Sequence, residues 1–377
     1  MAPAVLLVIP FLSVEPAAAA RPRLTVQVVE DGLSIPWDLA FLPDGSMLVT
    51  ERDEKRLSLR TTDGAMRTIF RSPRRMWAGG ETGLMAVELA PDFARTREFL
   101  TCHGYRRGSH QDVRVVRWRL NAARTGASYV RTLVSGLPST SGRHGGCALV
   151  TGARNQLYIG TGDAATGRNP QRLTSGGGKV LRVSATTGRP VSSNPYIRSS
   201  SRMKQRVFTY GHRNVQGLAR RTDGRVWSVE QGSYRDDEVN RLVKQGNYGW
   251  NPVPRRAGDP AYNEGANSPM TDHRIRGKQR SAAWRSGSTT DATSGAAFVN
   301  GSRWGSWRGA LAVASLKDTS LRLTLFSKKG RLRTTWKPVV LDGTYGRLRG
   351  AVQGPDGALY LTTSNGSDDK ILKVTAR

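Results

Sequence analysis

The chain lacks several features that would assign it to a common class of protein. It has two cysteines and five histidines in 377 residues, too few for a disulfide-rich scaffold or a zinc module. Beyond its first 20 residues, no apolar run is long enough to cross a membrane as a helix, so we do not expect an integral membrane protein. It also has no zinc-finger spacing and no RNA-binding signature.

Acidic residues are scarce relative to basic ones. The chain has 29 Asp and Glu against 58 Lys and Arg, which gives a net charge of +29. The basic residues are mostly arginines and are spread through the whole sequence. A surface this basic suits polyanionic surroundings. We expect an association with an anionic cell envelope or an acidic partner, and no nucleic-acid partner.

The first 20 residues differ from the rest of the chain. Residues 5–12 are apolar, and residues 16–20 are small and precede Arg21. This order is typical of a secretory signal, although a disordered apolar tail is the alternative. We therefore expect residues 1–20 to be a signal-like segment of a secreted or cell-envelope protein. No linker divides residues 21–377, which we expect to form a single domain.

The two cysteines, Cys102 and Cys147, each lie in a predicted strand. Export would allow them to form a disulfide, and the alternative is two buried free thiols. We predict a Cys102–Cys147 disulfide in the exported protein.

A polar turn followed by an apolar strand recurs six times. The six units are residues 42–50, 90–102, 151–159, 221–229, 306–314 and 353–361. Six such units predict an all-β fold, a six-bladed β-propeller of four-stranded antiparallel blades. An early strand at residues 24–29 would pair with the last blade and close the ring. Segments 168–205 and 251–293 are predicted to be long loops on one face, where such a fold builds its site.

His144 begins the stretch that carries the strongest chemical signal. Two glycines and a short apolar run follow it, then a polar turn, a second apolar run and Asp163. This order predicts two strands joined by a tight turn. Gly145 and Gly146 would let the backbone come close to a neighbour that side chains exclude. A lone histidine at a strand entry is more often hydrogen-bonded and inert, so this stretch alone leaves both interpretations open.

Arg347 and Arg349 lie two residues apart on a predicted extended segment. Alternation places both on one face, where two guanidinium groups suit a ligand with several carboxylates. The alternative is a solvated strand face.

Taken in order, several short motifs resemble the soluble quinoprotein glucose and aldose-sugar dehydrogenases, also called the glucose/sorbosone dehydrogenase family. The resemblance covers residues 35–374, almost all of the chain after the signal-like segment. Its motifs lie at residues 36–45, 48–52, 80–84, 178–182, 211–214, 247–250 and 354–360. Each motif alone is weak, and all of them in this order are specific.

The resemblance implies a six-bladed propeller that binds pyrroloquinoline quinone (PQQ) and a calcium ion. It implies that His144 is the general base and that Arg213 stabilises the charge that develops on oxygen. The backbone carbonyls of Gly232 and Ser233 are the implied calcium ligands. The implied cofactor contacts are Glu81, Asn214, Gln231, Thr290, Lys317, Arg347 and Arg349. Lys317, Arg347 and Arg349 would hold the cofactor's carboxylates.

The implied function is oxidation of the C1 hydroxyl of an aldose to a lactone, with hydride passing to the quinone. The substrate would be a small sugar, and the electron acceptor is unidentified. Glucose-oxidising relatives carry an aspartate at the position of Arg143. This difference leaves the identity of the sugar substrate open and bears on the orientation of His144. The alternative function is a catalytically silent propeller that binds carbohydrate or an anionic envelope polymer.

Overall fold

The structure is a computed structural model that describes residues 20–265 and 268–377. Apart from Ala20, the signal-like segment lies outside the described residues. The described chain forms six β-sheets arranged as the blades of a propeller, which confirms the predicted fold class. In this part of the chain no helix has the length and apolar composition needed to cross a membrane.

The chain begins with strand β1 (Leu24–Leu33) and then builds blades 1 to 3. Blade 1 contains β2 (Pro36–Phe41), β3 (Met47–Glu51), β4 (Arg56–Arg60) and β5 (Met66–Arg71). Blade 2 contains β6 (Met76–Trp77), β7 (Leu84–Leu89), β8 (Glu98–Arg107), β9 (His110–Leu120) and β10 (Ala127–Leu137). Blade 3 contains β11 (Gly146–Thr151), β12 (Gln156–Thr161), β13 (Lys179–Ser184) and β14 (Val207–Tyr210). Blade 2 thus has one short strand more than the predicted four.

The second half of the chain builds blades 4 to 6. Blade 4 contains β15 (Val215–Arg220), β16 (Val226–Glu230), β17 (Glu238–Arg241) and β18 (Trp284–Arg285). Blade 5 contains β19 (Thr293–Phe298), β20 (Leu311–Ser315), β21 (Leu321–Phe326) and β22 (Leu332–Trp336). Blade 6 contains β23 (Leu348–Gln353), β24 (Leu359–Thr363), β25 (Asp369–Ala376) and β1. The described helices are α1 (Phe93–Thr96), α2 (Arg202–Arg206) and two 3-10 turns, Ser302–Trp307 and Val339–Leu341.

The first strand of the chain closes the ring, as predicted. Strand β1 pairs antiparallel with β25, with Leu24 opposite Ala376 and Val28 opposite Leu372. The first and last parts of the chain thus share blade 6. This pairing covers the edge that β25 would otherwise leave open.

The innermost strand of each blade runs along the propeller axis. These six strands are β2, β7, β11, β15, β19 and β23, and neighbouring ones pack side by side. They surround a central channel with a volume of about 330 Å³. Small residues allow this close packing: a Cβ added at Gly217 would lie 2.4 Å from the backbone oxygen of Ser294. We call the end where the inner strands begin the site face, and the other end the opposite face.

The prediction that both long loops lie on one face is wrong. Segment 251–283 is the later part of the connection between β17 and β18, and part of it reaches the site face, as described below. Residues 162–178 also lie at the site face, between β12 and β13. Residues 185–206 follow β13, which runs away from the site face, so they lie at the opposite end. The predicted loop 168–205 is therefore two connections divided by a strand.

The predicted disulfide is present. Cys102 in β8 is bonded to Cys147 in β11, and their Cα atoms are 5.6 Å apart. The bond joins two blades inside the apolar core that blades 2 and 3 share. Cys147 follows His144 by three residues, so the crosslink anchors the strand that carries this histidine.

Candidate active site

The predicted site residues collect at the site face because most of them directly precede an inner strand. In a propeller the entry to each inner strand points toward the axis, so side chains from different blades converge there. The residues that lie one to three positions before an inner strand are Glu81, His144, Arg213, Asn214, Thr290 and Arg347.

His144 and Asp163 form a buried pair. Nδ1 of His144 lies 2.8 Å from Oδ1 of Asp163, and both side chains are almost fully buried. The Asp163 carboxylate also accepts hydrogen bonds from the backbone N–H of Ala165 (2.8 Å), from Nε1 of Trp250 (2.7 Å) and from the Tyr262 hydroxyl (2.9 Å). With the His144 ring, the Asp163 carboxylate thus has four hydrogen-bond donors around it. They use its acceptor sites and fix its orientation.

This pairing orients the imidazole of His144. A carboxylate partner favours the proton on Nδ1, which leaves the lone pair on Nε2. No described residue hydrogen-bonds to Nε2. The backbone of His144 is left-handed, with φ of 53°, and its N–H donates to Glu81 (3.2 Å). A non-glycine residue adopts this conformation only when its surroundings impose it, which is common at functional sites.

Arg213 lies beside this pair and is buried. Its guanidinium donates to Oε2 of Glu264 (2.7 Å) and to the backbone oxygen of Gln231 (3.2 Å), while its backbone N–H donates to Glu230 (2.8 Å). Burial by itself would lower the pKa of Arg213, but the neighbouring Tyr262, Asp163 and Glu264 raise it above its ordinary value. Its Nε is buried and has no hydrogen-bond partner in the part of the chain that the structure describes.

Glu264 joins Arg213 to Arg143. Its second carboxylate oxygen accepts an ion-pair hydrogen bond from Arg143, whose side chain is about half exposed. The two guanidinium groups hold the pKa of Glu264 below its ordinary value although burial opposes them. Arg143 is therefore directed at Glu264 and lies over the ring of Tyr262, 5.6 Å from its centroid. Arg143 therefore acts on His144 through Glu264 and Tyr262.

Asn214 is the centre of a second hydrogen-bond network. Its amide nitrogen donates to Glu81 (3.1 Å) and lies 3.4 Å from Oε1 of Gln231. Its amide oxygen accepts from the backbone N–H of Gly146 (3.1 Å) and from Gln216 (3.1 Å). Three of the predicted cofactor contacts thus share one network with the strand that follows His144.

The predicted arginine pair divides into a buried and an exposed member. Arg349 donates to Gln216 (2.7 Å) and Ser294 (3.2 Å), and its guanidinium lies 3.8 Å from the ring centroid of Trp37. Burial lowers the pKa of Arg349 to about 9, and its Nε has no hydrogen-bond partner among the described residues. Arg347 is exposed and donates to the backbone oxygen of Ser364 (3.2 Å).

Lys317 and Thr290 are neighbours at the rim. Nζ of Lys317 lies 3.4 Å from the Thr290 hydroxyl, and the Lys317 side chain is exposed. The backbone N–H of Lys317 donates to the oxygen of Asp291 (3.0 Å), which ties the loop after β20 to the entry of β19. The rim therefore keeps one ammonium group within reach of solvent.

The donor set at Gly232 and Ser233 fits calcium in its chemistry. Among the described residues, none donates a hydrogen bond to either backbone carbonyl. The carboxylate of Asp237 fixes the loop by accepting the Gly232 N–H (2.7 Å), and burial raises the pKa of Asp237 to about 6. Calcium takes oxygen ligands, including backbone carbonyls. The described residues contain no group of three or more His, Cys, Asp or Glu side chains that could hold a metal.

The arrangement also fits an anionic cofactor such as PQQ. Two buried guanidinium groups, on Arg213 and Arg349, each have an Nε without a partner among residues 20–265 and 268–377. A buried donor without an acceptor is costly, so these atoms favour a ligand with acceptor oxygens. The exposed cations of Lys317 and Arg347 lie at the same face.

Several site residues were not predicted. Asp163 ends the His144 stretch, but a carboxylate after a strand is common in turns and does not by itself indicate a role. Tyr262 and Glu264 lie in a long irregular loop without a motif, and the motif that contains Trp250 does not indicate its partner. Gln216 faces the channel from β15, where alternation identifies the face but not the partner.

The fold and this site together define a six-bladed propeller with a buried His–Asp pair and a cationic mouth at one face. The family model described as "Glucose / Sorbosone dehydrogenase" matches residues 33–373. The chain belongs to this family.

Individual relatives and solved structures are consistent with this family membership. The chain is 30% identical to aldose sugar dehydrogenase YliI of Escherichia coli (strain K12) over 375 residues, 98% of each chain. Among solved structures, it is similar to the apo-form of the soluble aldose sugar dehydrogenase from Escherichia coli, with 28% identity, a TM-score of 0.83 and coverage of 94% of this chain and 100% of that one. It is also similar to the PQQ-bound form of aldose sugar dehydrogenase from Streptomyces coelicolor, with 28% identity, a TM-score of 0.75 and coverage of 95% and 100%.

Proposed function

We propose that the protein is a PQQ-dependent sugar dehydrogenase that oxidises the C1 hydroxyl of an aldose to the lactone. The observation that carries the proposal is the buried His144–Asp163 pair beside two buried guanidinium groups with unpartnered Nε atoms. A scaffold that only binds carbohydrate needs none of these groups together. Family membership and the PQQ-bound relative support the same reaction.

The reaction removes one proton and one hydride from the sugar. Bound PQQ would supply the hydride acceptor. His144 takes the hydroxyl proton at Nε2, because Asp163 keeps the proton already present on Nδ1. As in other Asp–His pairs, the Asp163 carboxylate then stabilises the imidazolium that forms. The imidazolium of His144 must lose this proton before the next turnover.

Arg213 balances negative charge that develops on oxygen beside it. A buried guanidinium in a site with little water is a strong and pre-positioned stabiliser of such charge. Its ion pair with Glu264 and its bond to the Gln231 backbone hold the guanidinium in place, so little reorganisation is needed. Glu264 also limits the net positive charge at this point before the reaction begins.

The remaining residues hold the cofactor. Lys317, Arg347 and Arg349 would pair with its carboxylates through charge-assisted hydrogen bonds. The carbonyls of Gly232 and Ser233 would hold calcium, and the chemistry it would supply is that of a Lewis acid. The other proposed contacts are Glu81, Asn214, Gln231 and Thr290.

We further propose that the protein is exported, that residues 1–20 are removed, and that residues 21–377 fold as one domain. The Cys102–Cys147 disulfide supports an oxidising compartment. Mass spectrometry of the exported protein should find an N-terminus near Arg21. An intact N-terminus in cell-associated protein would contradict the export proposal.

The test of function is reconstitution of the purified chain. Apo-protein is mixed with PQQ and calcium, and dye reduction is followed over a panel of neutral, acidic and amino aldoses. We expect activity that requires both PQQ and calcium, with a lactone as the product. Tight PQQ binding without oxidation of any sugar would favour the catalytically silent propeller. Absence of PQQ binding would contradict the cofactor assignment itself.

A further inference from the structure

Five cationic side chains surround a cavity at the outer edge of blades 4 and 5. The cavity has a volume of about 570 Å³. We call it the basic groove and define it by Arg241, Lys278, Arg280, Lys329 and Arg331. It is built from three segments that are separate in sequence: Arg241 and Val243 at the end of β17, residues 278–283 before β18, and residues 329–332 at the turn between β21 and β22.

The charge of the basic groove is not neutralised within the protein. Across residues 20–265 and 268–377, none of its five cations lies within 4.0 Å of a carboxylate, and no acidic residue lines the cavity. Elsewhere on the same blades arginines are paired, as Arg285 is with Glu238 and Arg322 with Asp291. Clustered like charges repel one another, so an unpaired group of five favours a polyanionic ligand.

The groove lies on the opposite face from the candidate active site. Arg241 ends β17 and pairs with Trp227, whereas Glu238 begins β17 and pairs with Glu230, the neighbour of Gln231. The turn with Lys329 follows β21, and β21 begins beside the Lys317 loop. Strands of this length span roughly 15–20 Å. An electron acceptor must approach the cofactor, so this position does not suit one.

We propose that the basic groove binds a linear anionic polymer of the cell envelope, with repeating phosphate or carboxylate groups, and leaves the site face open to sugar. Four of the five cations are exposed and can follow a chain of anionic groups. Apolar residues of the same lining, including Leu332 at 45% exposure, offer contact to the polyol backbone of such a polymer. The sequence has no base-reading motif, which favours this polymer over nucleic acid.

The test uses the full-length protein and fluorescently labelled poly(glycerol phosphate). The groove variant is Lys278→Gln/Arg280→Gln/Lys329→Gln/Arg331→Gln. The control variant removes four exposed arginines of blades 2 and 3 that have no ion-pair partner among the described residues: Arg107→Gln/Arg131→Gln/Arg189→Gln/Arg198→Gln. Both variants lose the same charge. Melting temperatures of all three proteins verify folding, and Lys329→Gln/Arg331→Gln provides a smaller change at one turn.

We expect the groove variant to bind the polymer at least about tenfold more weakly than wild type, with a shallower dependence on salt, because fewer counterions are released. The control variant should change affinity less than about twofold. Sugar oxidation should be the same in all three proteins, so failure of the proposed catalytic function would leave this test intact.

Three results would overturn the proposal. Absence of polymer binding by wild type would exclude the ligand class. An equal loss in the groove and control variants would show that the diffuse surface charge is responsible. Tighter binding of duplex DNA than of the polymer, lost in the groove variant, would identify nucleic acid as the partner instead.

Discussion

The Nδ1 atom of His144 lies 2.8 Å from Oδ1 of Asp163, and neither side chain is appreciably exposed. The two residues are 19 positions apart, at the entry to β11 and just past the end of β12. Because β11 and β12 pair antiparallel, their two ends at the site face meet. The hairpin therefore brings the pair together, and the Tyr262 and Trp250 side chains from another blade complete it.

Replacing the histidine should abolish turnover without removing the cofactor site. We expect His144→Ala to lower kcat by about 10² to 10⁴, as is usual for a lost general base. PQQ affinity, measured by calorimetry, should stay near wild type because other residues hold the cofactor. His273→Ala, at an exposed histidine, serves as the control. Near-normal turnover in His144→Ala would make this histidine structural.

Asp163→Asn should also lower kcat, by about 10² to 10³, because an amide no longer holds the proton on Nδ1 of His144. Asn would also lose acceptor capacity toward Trp250 and Tyr262, so the melting temperature must be measured as well. Asp223→Asn, at an exposed carboxylate on the opposite face, is the control. If kcat of Asp163→Asn falls only as far as loss of folded protein explains, Asp163 does not orient the base.

Removal of Arg347, just before β23, and Arg349, the second residue of β23, should weaken PQQ binding. We expect Arg347→Ala/Arg349→Ala to lower affinity by about two to four orders of magnitude, since each of the two charge-assisted hydrogen bonds contributes about 1.5–3 kcal/mol. Lys328→Ala/Lys329→Ala removes the same charge elsewhere and should leave PQQ affinity unchanged. Calorimetric titration of apo-protein in calcium buffer measures both.

Arg349 also supports the core, because it bonds to Gln216 and Ser294 and stacks on Trp37. Arg347→Ala alone avoids this complication, as Arg347 is exposed. Equal PQQ affinity in wild type and both arginine variants would contradict the clamp and weaken the enzymatic proposal.

Loss of the disulfide should destabilise the protein. Cys102 and Cys147 are 45 residues apart. Crosslinking a loop of this length stabilises the native state by about 4 kcal/mol in the chain-entropy account. We expect Cys102→Ser/Cys147→Ser to show a loss of this order in denaturant unfolding. Equal free energies of unfolding for the oxidised and the reduced wild-type protein would contradict this expectation.

Asp38 should make stability depend on pH. It lines the central channel, and burial raises the pKa of its carboxyl to about 7, against hydrogen bonds from the N–H groups of Leu39 and Val87. The folded protein thus binds a proton that the unfolded chain releases near pH 4. Its contribution is complete below the unfolded pKa and is lost as pH rises through about 7.

The expected loss between pH 5 and 8 is on the order of 2 kcal/mol, less than the whole pKa shift would give, because part of the loss falls below pH 5 and Asp38 is only partly buried. Asp38→Asn should flatten the plot of unfolding free energy against pH. Asp44→Asn is the control, since ion pairing with Arg124 helps to hold the pKa of Asp44 at about 2, outside this range. The same slope in Asp38→Asn and wild type would contradict the assignment.

The fold could be predicted from sequence because its signals are local. Each of the six turn-and-strand units joins the first two main strands of a blade, and the early apolar strand pairs with β25 as expected. Most of the site residues implied by the family resemblance lie just before an inner strand, so the fold places them at the site face. The cysteine pair was predictable because the chain has only two cysteines.

The sequence by itself determined the blades, the ring closure and the strand entries that carry the predicted site, since alternation and turn chemistry act over a few residues. Only the tertiary structure decided which groups meet Asp163 and Arg213. Tyr262 lies 99 residues from Asp163, and Glu264 lies 51 residues from Arg213, both in an irregular loop without periodicity. The basic groove has the same origin, because residues spread along the sequence become one charge cluster only when blades 4 and 5 pack together.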